Sequence, residues 1–291
     1  MSGAALAPTR RRGLVPAGAW RWAPGLLLGL FVLAALFAPL VAPYDPNAQN
    51  LLARMRPPGF VSRGIVYRLG SDEIGRDVLS RLIHGARASL LVAFASVLLS
   101  GVVGTTLGML AGYRRGWTET VIMRLVDVFL SIPAILLALI TVAVLGPSFG
   151  NVIVVLALTR WPRYARVAYG QTLAVATMPY VRLSAFMGAS APRLLFQHVL
   201  PNIAGAVAVV ATLEFGLMVL FEAGLSFLGL GVQPPTASWG AMMSTGKNYL
   251  ANAWWIATFP GLALFVLVLA VNLVGDAVRD RLDPRAPERT P

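Results

Sequence analysis

Four acidic side chains lie within otherwise apolar stretches of this chain: Asp127, Glu214, Glu222 and Asp276. A carboxylate deep in a bilayer costs ~2.5–3.5 kcal/mol on insertion scales, so it normally faces a water-filled cavity or another helix. Glu214 and Glu222 are eight residues apart, which places them on similar faces of one helix, about 12 Å apart along its axis. Both are candidates for the lining of a polar pathway or for hydrogen bonds that fix helix packing, and the sequence leaves both roles open.

Side chains suited to catalysis or metal binding are sparse. There is no cysteine, hence no disulfide, thiolate nucleophile or cysteine-rich metal site. His84 and His198 are far apart and are expected to be ordinary polar residues. Lys247 is the only lysine, and no Gly-x-x-x-x-Gly-Lys-Ser/Thr phosphate loop occurs, so the chain cannot by itself be an ATPase of that class. No nucleophile–base set suggests hydrolysis. We expect no catalytic residue, cofactor site or metal site in this chain.

The composition is that of an integral membrane protein. Hydrophobic residues make up 57% of the 291 residues, charged residues 12%, and the mean hydropathy is +0.72. A soluble domain of this length could not bury so much apolar surface. The net charge is +12, but the arginines flank apolar segments and do not form one basic domain. Their placement indicates membrane orientation by the positive-inside rule and argues against nucleic-acid binding.

Six apolar segments are predicted to cross the membrane as helices, since ~20 apolar residues span its hydrocarbon core. The basic N-terminus, residues 1–21, and the tail, residues 279–291, carry arginines that place both ends in the cytoplasm. The first outer loop also holds six arginines, but long loops weigh less in this rule. The predicted spans are Trp22–Tyr44, Ala88–Tyr113, Val121–Leu145, Asn151–Arg166, Ile203–Gly229 and Trp254–Val278.

These spans predict an all-α protein in two parts, with a first helix and long outer loop at residues 22–87 and a five-helix core at residues 88–278. The outer loop is expected to contain a helix over residues 72–81, with Asp72/Arg76 and Asp77/Arg81 pairs. Gly101, Gly104 and Gly108 form a small-residue face for close helix packing. Arg160, Arg163 and Arg166 are expected to snorkel toward phosphates from the inner end of the fourth span.

Residues 179–202 lie between two apolar segments but do not read as a span. Two helical turns over Tyr180–Met187 are followed by Gly188, whose permissive backbone suits a helix end. Ser190 is a good N-cap and Pro192 falls in the first turn of a second short helix, which Pro201 is expected to end. This element is expected to show one apolar face that its own chain cannot fully cover, which suggests a docking surface for a soluble partner. The alternative is an interfacial helix that lies on lipid.

Several motifs of this chain resemble those of the C-type permease subunits of dipeptide, oligopeptide and nickel binding-protein-dependent ABC importers. In residues 179–202 the match covers Gly188-Ala-Ser190 and Leu200-Pro-Asn202, while Arg182, Leu183 and Ser184 stand where the family has Glu-Ala-Ala. Elsewhere the matching stretches are Leu69–Arg81 with Gly85–Leu90, Glu222–Gly240 and Leu273–Arg285.

The resemblance implies a type I ABC importer permease fold and a permease subunit that is not itself an enzyme. It would pass di- or oligopeptides across the cytoplasmic membrane of a prokaryote by alternating access. The implied partners are a homologous second permease, two cytoplasmic ATPases that carry ATP and Mg, and an extracytoplasmic substrate-binding protein. Nickel, glutathione or another small solute is the alternative cargo. A stand-alone secondary transporter is a weaker alternative, since it would need an ion relay within the spans.

The resemblance also implies that residues 179–202 form the loop that couples this subunit to an ATPase. The expected coupling residues are Arg182, Gly188, Ala189, Ser190, Arg193, Phe196, Gln197, Leu200 and Pro201.

Overall fold

The computed structural model describes residues 22–282, so the basic N-terminus and the tail beyond residue 282 lie outside the described residues. Besides helices and the loops that join them, the described part contains one short antiparallel hairpin, which the sequence did not predict. Its elements are α1 (Ala23–Leu36), α2 (Ala38–Val41), β1 (Phe60–Ser62), β2 (Ile65–Tyr67), α3 (Val78–Arg114), α4 (Gly116–Ser131), α5 (Ala134–Leu145), α6 (Phe149–Val175), α7 (Pro179–Phe186), α8 (Ala191–Arg193), α9 (Leu200–Phe227), α10 (Trp239–Gly246) and α11 (Trp255–Leu282), with short 3-10 turns at Leu51–Ala53 and Lys247–Tyr249.

The predicted first span is not one continuous helix. It breaks at Phe37 into α1, of 14 residues, and the single turn of α2. Pro39 lies two residues beyond the break, and proline has no N–H to continue the helical hydrogen-bond ladder.

The second span belongs to a longer helix than predicted. α3 has 37 residues and begins at Val78, with the Asp77 side chain accepting a hydrogen bond from the Ser80 backbone N–H as its N-cap. Residues 72–76 form a turn, so the helix predicted over 72–81 is wrong in its first half. The reason is local competition: the Asp72 carboxylate accepts the backbone N–H groups of Ile74 and Arg76, which favours a turn over a helix.

The third predicted span is broken near its middle. α4 and α5 meet at a bend of 93°, at Ile132 and Pro133. Ile132 has an extended backbone, as expected for a residue before proline, because the proline ring disfavours the helical conformation there.

By length and composition, three of the described helices could cross a membrane, or four if α4 and α5 count as one bent span. They are α3, the stretch Ala191–Phe227 that includes α9, and α11. α6 continues nine residues beyond the predicted end of its span, to Val175. Residues 230–253, between the fifth and sixth predicted spans and here called the second outer loop, contain α10, a helix that the sequence did not predict. Six spans with both termini inside remain a prediction.

α3 and α6 cross closely at the glycines of the predicted small-residue face. A Cβ atom on Gly104 would lie 2.2 Å from the Trp161 carbonyl oxygen, and one on Gly108 would lie 2.3 Å from the Ala165 carbonyl oxygen. Gly101 is looser, since its Cβ would lie 3.5 Å from the Tyr164 ring. The small-residue face is confirmed, and it places α6 directly against the longest helix of the fold.

Candidate functional site

The bend predicted at Gly188 is confirmed. α7 ends in a Schellman motif, in which the Gly188 N–H donates to the Ala185 carbonyl and the Ala189 N–H donates to the Ser184 carbonyl. Gly188 has φ +89°, a conformation that glycine adopts without the strain a Cβ atom would bring. The bend thus satisfies the last carbonyls of α7 and turns the chain back toward the bundle.

The second half of this segment differs from the prediction. Ser190 has an extended backbone, but its side chain accepts no capping hydrogen bond. Leu194–Val199 form a π-helical turn that joins α8 to α9, and Pro201 lies in the first turn of α9. Pro201 therefore does not end a helix. In the π turn ahead of Pro201, a backbone N–H donates to the carbonyl five residues earlier, one residue further than in an α-helix. The Leu200 N–H, for example, donates to the Leu195 carbonyl.

One side of residues 179–202 is packed against the bundle. Buried Val181, Leu194 and Val199 form a cluster with Met109 of α3 and Ala168 of α6. The apolar face formed by Leu194, Leu195 and Val199 is therefore covered by the chain's own helices, and the prediction that the chain cannot cover it is wrong for these residues. This packing joins the segment to two of the longest helices of the fold.

Two polar contacts hold α7 against the segment that follows it. The Ser184 hydroxyl lies 3.3 Å from His198 Nε2, and the Asn202 side chain donates to the Tyr180 hydroxyl at 2.9 Å. Neither histidine of the chain is part of a metal-ligating group of three or more side chains within residues 22–282.

The other side of the segment is a set of exposed apolar side chains, here called the coupling surface: Leu183, Phe186, Met187 and Phe196. Phe186 is 88% exposed and Met187 is 80% exposed. Sequence reasoning identified Phe196 but missed the other three. The signal for two of them, Phe186 and Met187, was their position as a pair of large apolar residues immediately before Gly188.

The remaining predicted coupling residues lie around this surface. Most of them are exposed: Arg182, Gly188, Ser190, Arg193, Gln197 and Pro201. Ala189 and Leu200 are half-buried and pack against the inner cluster.

A second group of polar residues lies between α6 and α9. Glu214 is buried between Arg160, whose Nε lies 3.6 Å from Oε2, and Arg163, whose Nη1 lies 3.3 Å from Oε1. The Arg160 guanidinium also lies 4.3 Å from the centroid of the Phe221 ring. The prediction that Arg160 snorkels to phosphates is wrong, because α6 continues to Val175 and places this arginine in mid-helix. Arg166 pairs with Asp127 of α4.

Glu222 lies at a separate contact between α9 and α3. It is fully buried, and the hydroxyls of Ser89 and Ser226 donate to its two oxygens, each at 2.7 Å. Ser226 Oγ in turn accepts the Val232 backbone N–H. Glu222 therefore ties α9 to α3 and to the start of the second outer loop.

The segment that leads into α3 contains a compact cluster of polar residues, here called the polar knot: Ser71, Asp72, Glu73, Arg76, Asp77 and Arg81. Asp72 binds Arg76 at 2.6 Å and lies 3.6 Å from Arg81 Nε. The predicted Asp72/Arg76 pair is thus confirmed, whereas Arg81 turns to Asp72 and not to Asp77. Trp255 Nε1 donates to the Ser71 carbonyl at 3.1 Å, which connects this knot to α11.

Two carboxyl groups of the knot have raised pKa values. Burial raises the pKa of Glu73, and the neighbouring Asp72 charge raises it further. Burial also raises the pKa of Asp77, although hydrogen bonds from Ser80 oppose the effect. These shifts follow from a loop that is packed tightly and not freely solvated.

Comparison with known proteins identifies the family. The family described as binding-protein-dependent transport system inner membrane component matches residues 104–287. The N-terminal TM domain of oligopeptide transport permease C matches residues 23–58.

Three relatives illustrate the similarity. The di/tripeptide transport system permease protein DppC of Pseudomonas aeruginosa is 45% identical, over 89% of this chain and 86% of the relative. The probable D,D-dipeptide transport system permease protein DdpC of Escherichia coli is 40% identical, over 90% and 86%. The glutathione transport system permease protein GsiD of Pectobacterium atrosepticum is 41% identical, over 90% and 86%.

Among solved structures, the inward-facing MetNI methionine ABC transporter has a similar fold. The TM-score is 0.55 at 21% identity, and the match covers 69% of this chain and 96% of that chain. The resemblance seen in the sequence motifs is thereby confirmed: this chain belongs to the family of binding-protein-dependent transport system inner membrane components and is a C-type permease of the ABC importers.

Proposed function

We propose that this chain is the membrane subunit through which an ATP-driven importer passes peptides into the cell by alternating access. The relatives described above are permeases for di- and tripeptides, D,D-dipeptides and glutathione. All of these substrates carry a carboxylate and a peptide backbone. Di- and oligopeptides are therefore the proposed cargo, and glutathione or another small solute is the alternative.

The proposed assembly contains a homologous second permease, two cytoplasmic ATPases that hold ATP and Mg, and an extracytoplasmic binding protein. In this assembly the chain crosses the cytoplasmic membrane six times, with both termini and residues 179–202 on the inner side. The family membership and the flanking arginines support this arrangement.

The observation that carries the proposal is the exposed coupling surface. On a segment outside the lipid, as proposed for residues 179–202, a group of large exposed apolar side chains marks a contact with a partner. Charged and polar neighbours such as Arg182, Arg193 and Gln197 suit the rim of a protein interface. We assign the partner as an ATPase. Because the opposite side of the segment packs on α3 and α6, an ATPase that moves the coupling surface would also move these helices.

Truncation of Phe186 tests this assignment. Removing an aromatic side chain from the centre of an interface costs about 2 kcal/mol or more. We expect Phe186→Ala to weaken ATPase binding by about thirtyfold, and thereby to reduce both the ATPase that co-purifies with the tagged chain and ATP-dependent uptake.

Leu40→Ala is the matched control. Leu40 is 83% exposed, but it lies in α2, outside the coupling surface. We expect this variant to retain uptake and ATPase binding within about twofold of the unaltered chain. Normal ATPase binding and uptake by Phe186→Ala would contradict the docking role. Solute transport by the purified chain without any ATPase would contradict the proposed importer.

A further inference from the structure

Arg163 is a charged side chain at mid-depth in the helix bundle. It lies about 20 Å from each end of α6 at 1.5 Å per residue. The next residue, Tyr164, packs beside Gly101, near the middle of the apolar stretch of α3. The Arg163 side chain is nevertheless 54% exposed.

The energetic cost argues against contact between the Arg163 side chain and lipid. A guanidinium at the bilayer centre costs ~2.5–3.5 kcal/mol or more, and such groups face a water-filled cavity or another protein group. Arg163 therefore marks a part of α6 that lies against the pathway or against the second permease in the assembled importer.

The charges around Arg163 do not balance. Arg160 and Arg163 share one carboxylate, Glu214. Arg160 Nε and Glu214 Oε2 are buried without a hydrogen-bond partner, and the single Arg163 contact uses one of its five N–H donors. The next pair along α6, Arg166 with Asp127, is balanced. Among the side chains that the structure describes, this cluster therefore carries one positive charge more than its carboxylate can balance.

We propose that Arg163 binds the carboxylate of the transported peptide on the wall of the translocation pathway, an inference that rests on the proposed function. A guanidinium presents paired N–H donors that match a carboxylate. Glu214 holds one edge of this guanidinium and leaves other donors open. Arg81 and Arg160 are buried, at 6% and 4% exposed, whereas the side chains of Arg163 and Arg166 are 54% and 45% exposed. Arg163 differs from Arg166 because it shares its carboxylate with a second arginine.

The test compares a dipeptide with its C-terminal amide, each supplied at saturating concentration to the intact importer isolated through a tag on this chain. Maximal uptake rates are measured for the unaltered chain, Arg163→Gln and Arg163→Lys. The binding protein is the same in every case, so its own preference cancels when the ratio of the two rates is compared between variants.

We expect Arg163→Gln to lower the dipeptide rate by about tenfold and to leave the amide rate within about twofold. Arg163→Lys keeps the positive charge and should retain much of the dipeptide preference. Arg166→Gln is the control, because Arg166 is half-exposed one turn further along α6 but already has Asp127 as its partner. It should leave the ratio unchanged.

Equal dipeptide-to-amide ratios in the unaltered and Arg163→Gln importers would overturn the Arg163 inference and leave the proposed function intact. Loss of the second permease from purified Arg163→Gln would also overturn it, by placing Arg163 at the contact with that subunit. If the unaltered importer took up no dipeptide, the peptide cargo itself would be wrong, and this inference would fail with it.

Discussion

At the scale of single residues, the two buried glutamates of α9 have different surroundings despite their eight-residue spacing. Glu214 lies among arginines of α6, whereas Glu222 accepts two serine hydroxyls from α3 and α9. Neither is exposed. The sequence left open whether each glutamate lines a polar pathway or fixes helix packing. The surroundings of Glu222 support the packing role, and those of Glu214 support a role as counter-ion to the arginines.

Replacing Glu222 should reveal a structural role. Glu222→Ala leaves the hydroxyls of Ser89 and Ser226 without their acceptors and opens a cavity, so we expect about 3 kcal/mol lower stability. Glu222→Gln keeps the size and one acceptor oxygen, and should lose only about 1 kcal/mol. Thermal unfolding of the purified chain in detergent measures both. Equal losses in the two variants would show that hydrogen bonding and volume are not what Glu222 supplies.

The Arg160–Glu214 pair makes a second prediction. Glu214→Gln leaves the buried Arg160 guanidinium without a countercharge, which costs about 3–5 kcal/mol. Adding Arg160→Met removes that charge and should recover part of the loss, because the stem of methionine fills similar space. Unfolding of both single variants and the double variant gives the coupling free energy. Strict additivity of the single losses would argue against the ion pair.

At the scale of elements, the bend after α7 depends on the backbone of Gly188. A methyl group at Gly188 would meet no atom within 4 Å, and the same is true at Gly205 in α9, but only Gly188 has a positive φ. Gly188→Ala should therefore strain the bend by about 1 kcal/mol, whereas Gly205→Ala should be neutral or slightly stabilising to its helix.

The effect of Gly188→Ala should appear in coupling. We expect fewer substrate molecules imported per ATP hydrolysed, because the coupling surface no longer moves rigidly with α3 and α6. Gly205→Ala serves as the control, measured by uptake and phosphate release in the same vesicles. An unchanged ratio for Gly188→Ala would show that the left-handed bend is not needed for coupling.

The α3–α6 crossing gives a second prediction at this scale. Gly104→Ala places a methyl group against the Trp161 carbonyl, and backbone atoms cannot rotate away, so the helices must separate. We expect a loss of about 1–3 kcal/mol, measured as a lower unfolding temperature. Gly25→Ala in α1, where a Cβ meets nothing within 4 Å, should leave the temperature unchanged. Matching behaviour of the two variants would argue against the close crossing.

At the scale of the whole molecule, the proposed orientation can be tested directly, because the chain contains no cysteine. Ser190→Cys and Gln49→Cys each introduce one thiol at an exposed position. We expect a membrane-impermeant maleimide to label Ser190→Cys only from the cytoplasmic side and Gln49→Cys only from the outside. Labelling of Ser190→Cys only from outside would reverse the orientation and remove the proposed ATPase docking.

The outer knot shows how the whole molecule joins distant parts of the chain. Trp255 donates to Ser71, 184 residues away, and Trp239 donates to Leu82, 157 residues away. A Cβ on Gly70 would lie 2.6 Å from the Trp255 ring, and one on Gly85 would lie 2.8 Å from the Trp239 ring. The two outer loops and the ends of α3 and α11 therefore form one packed unit at this end of the bundle.

The sequence by itself determined the features that depend on neighbouring residues. Runs of apolar residues indicated the membrane helices, the glycine spacing in α3 indicated a close crossing, and Gly188 indicated the end of α7. The order of several motifs was enough to identify the family. These signals are local, because hydropathy, helix capping and backbone freedom are set by residues a few positions apart.

Only the tertiary structure decided which polar groups meet. Arg163 and Glu214 are 51 residues apart, and Ser89 and Glu222 are 133 apart. Helix crossings bring these groups together, so no local pattern distinguished a snorkelling arginine from one in a buried pair. The same holds for the bend between α4 and α5. Pro133, which breaks the helix, is visible in the sequence, but the bend angle of 93° is set by packing. An ion pair or a hydrogen bond forms wherever folding brings two side chains within reach, whatever their separation along the chain.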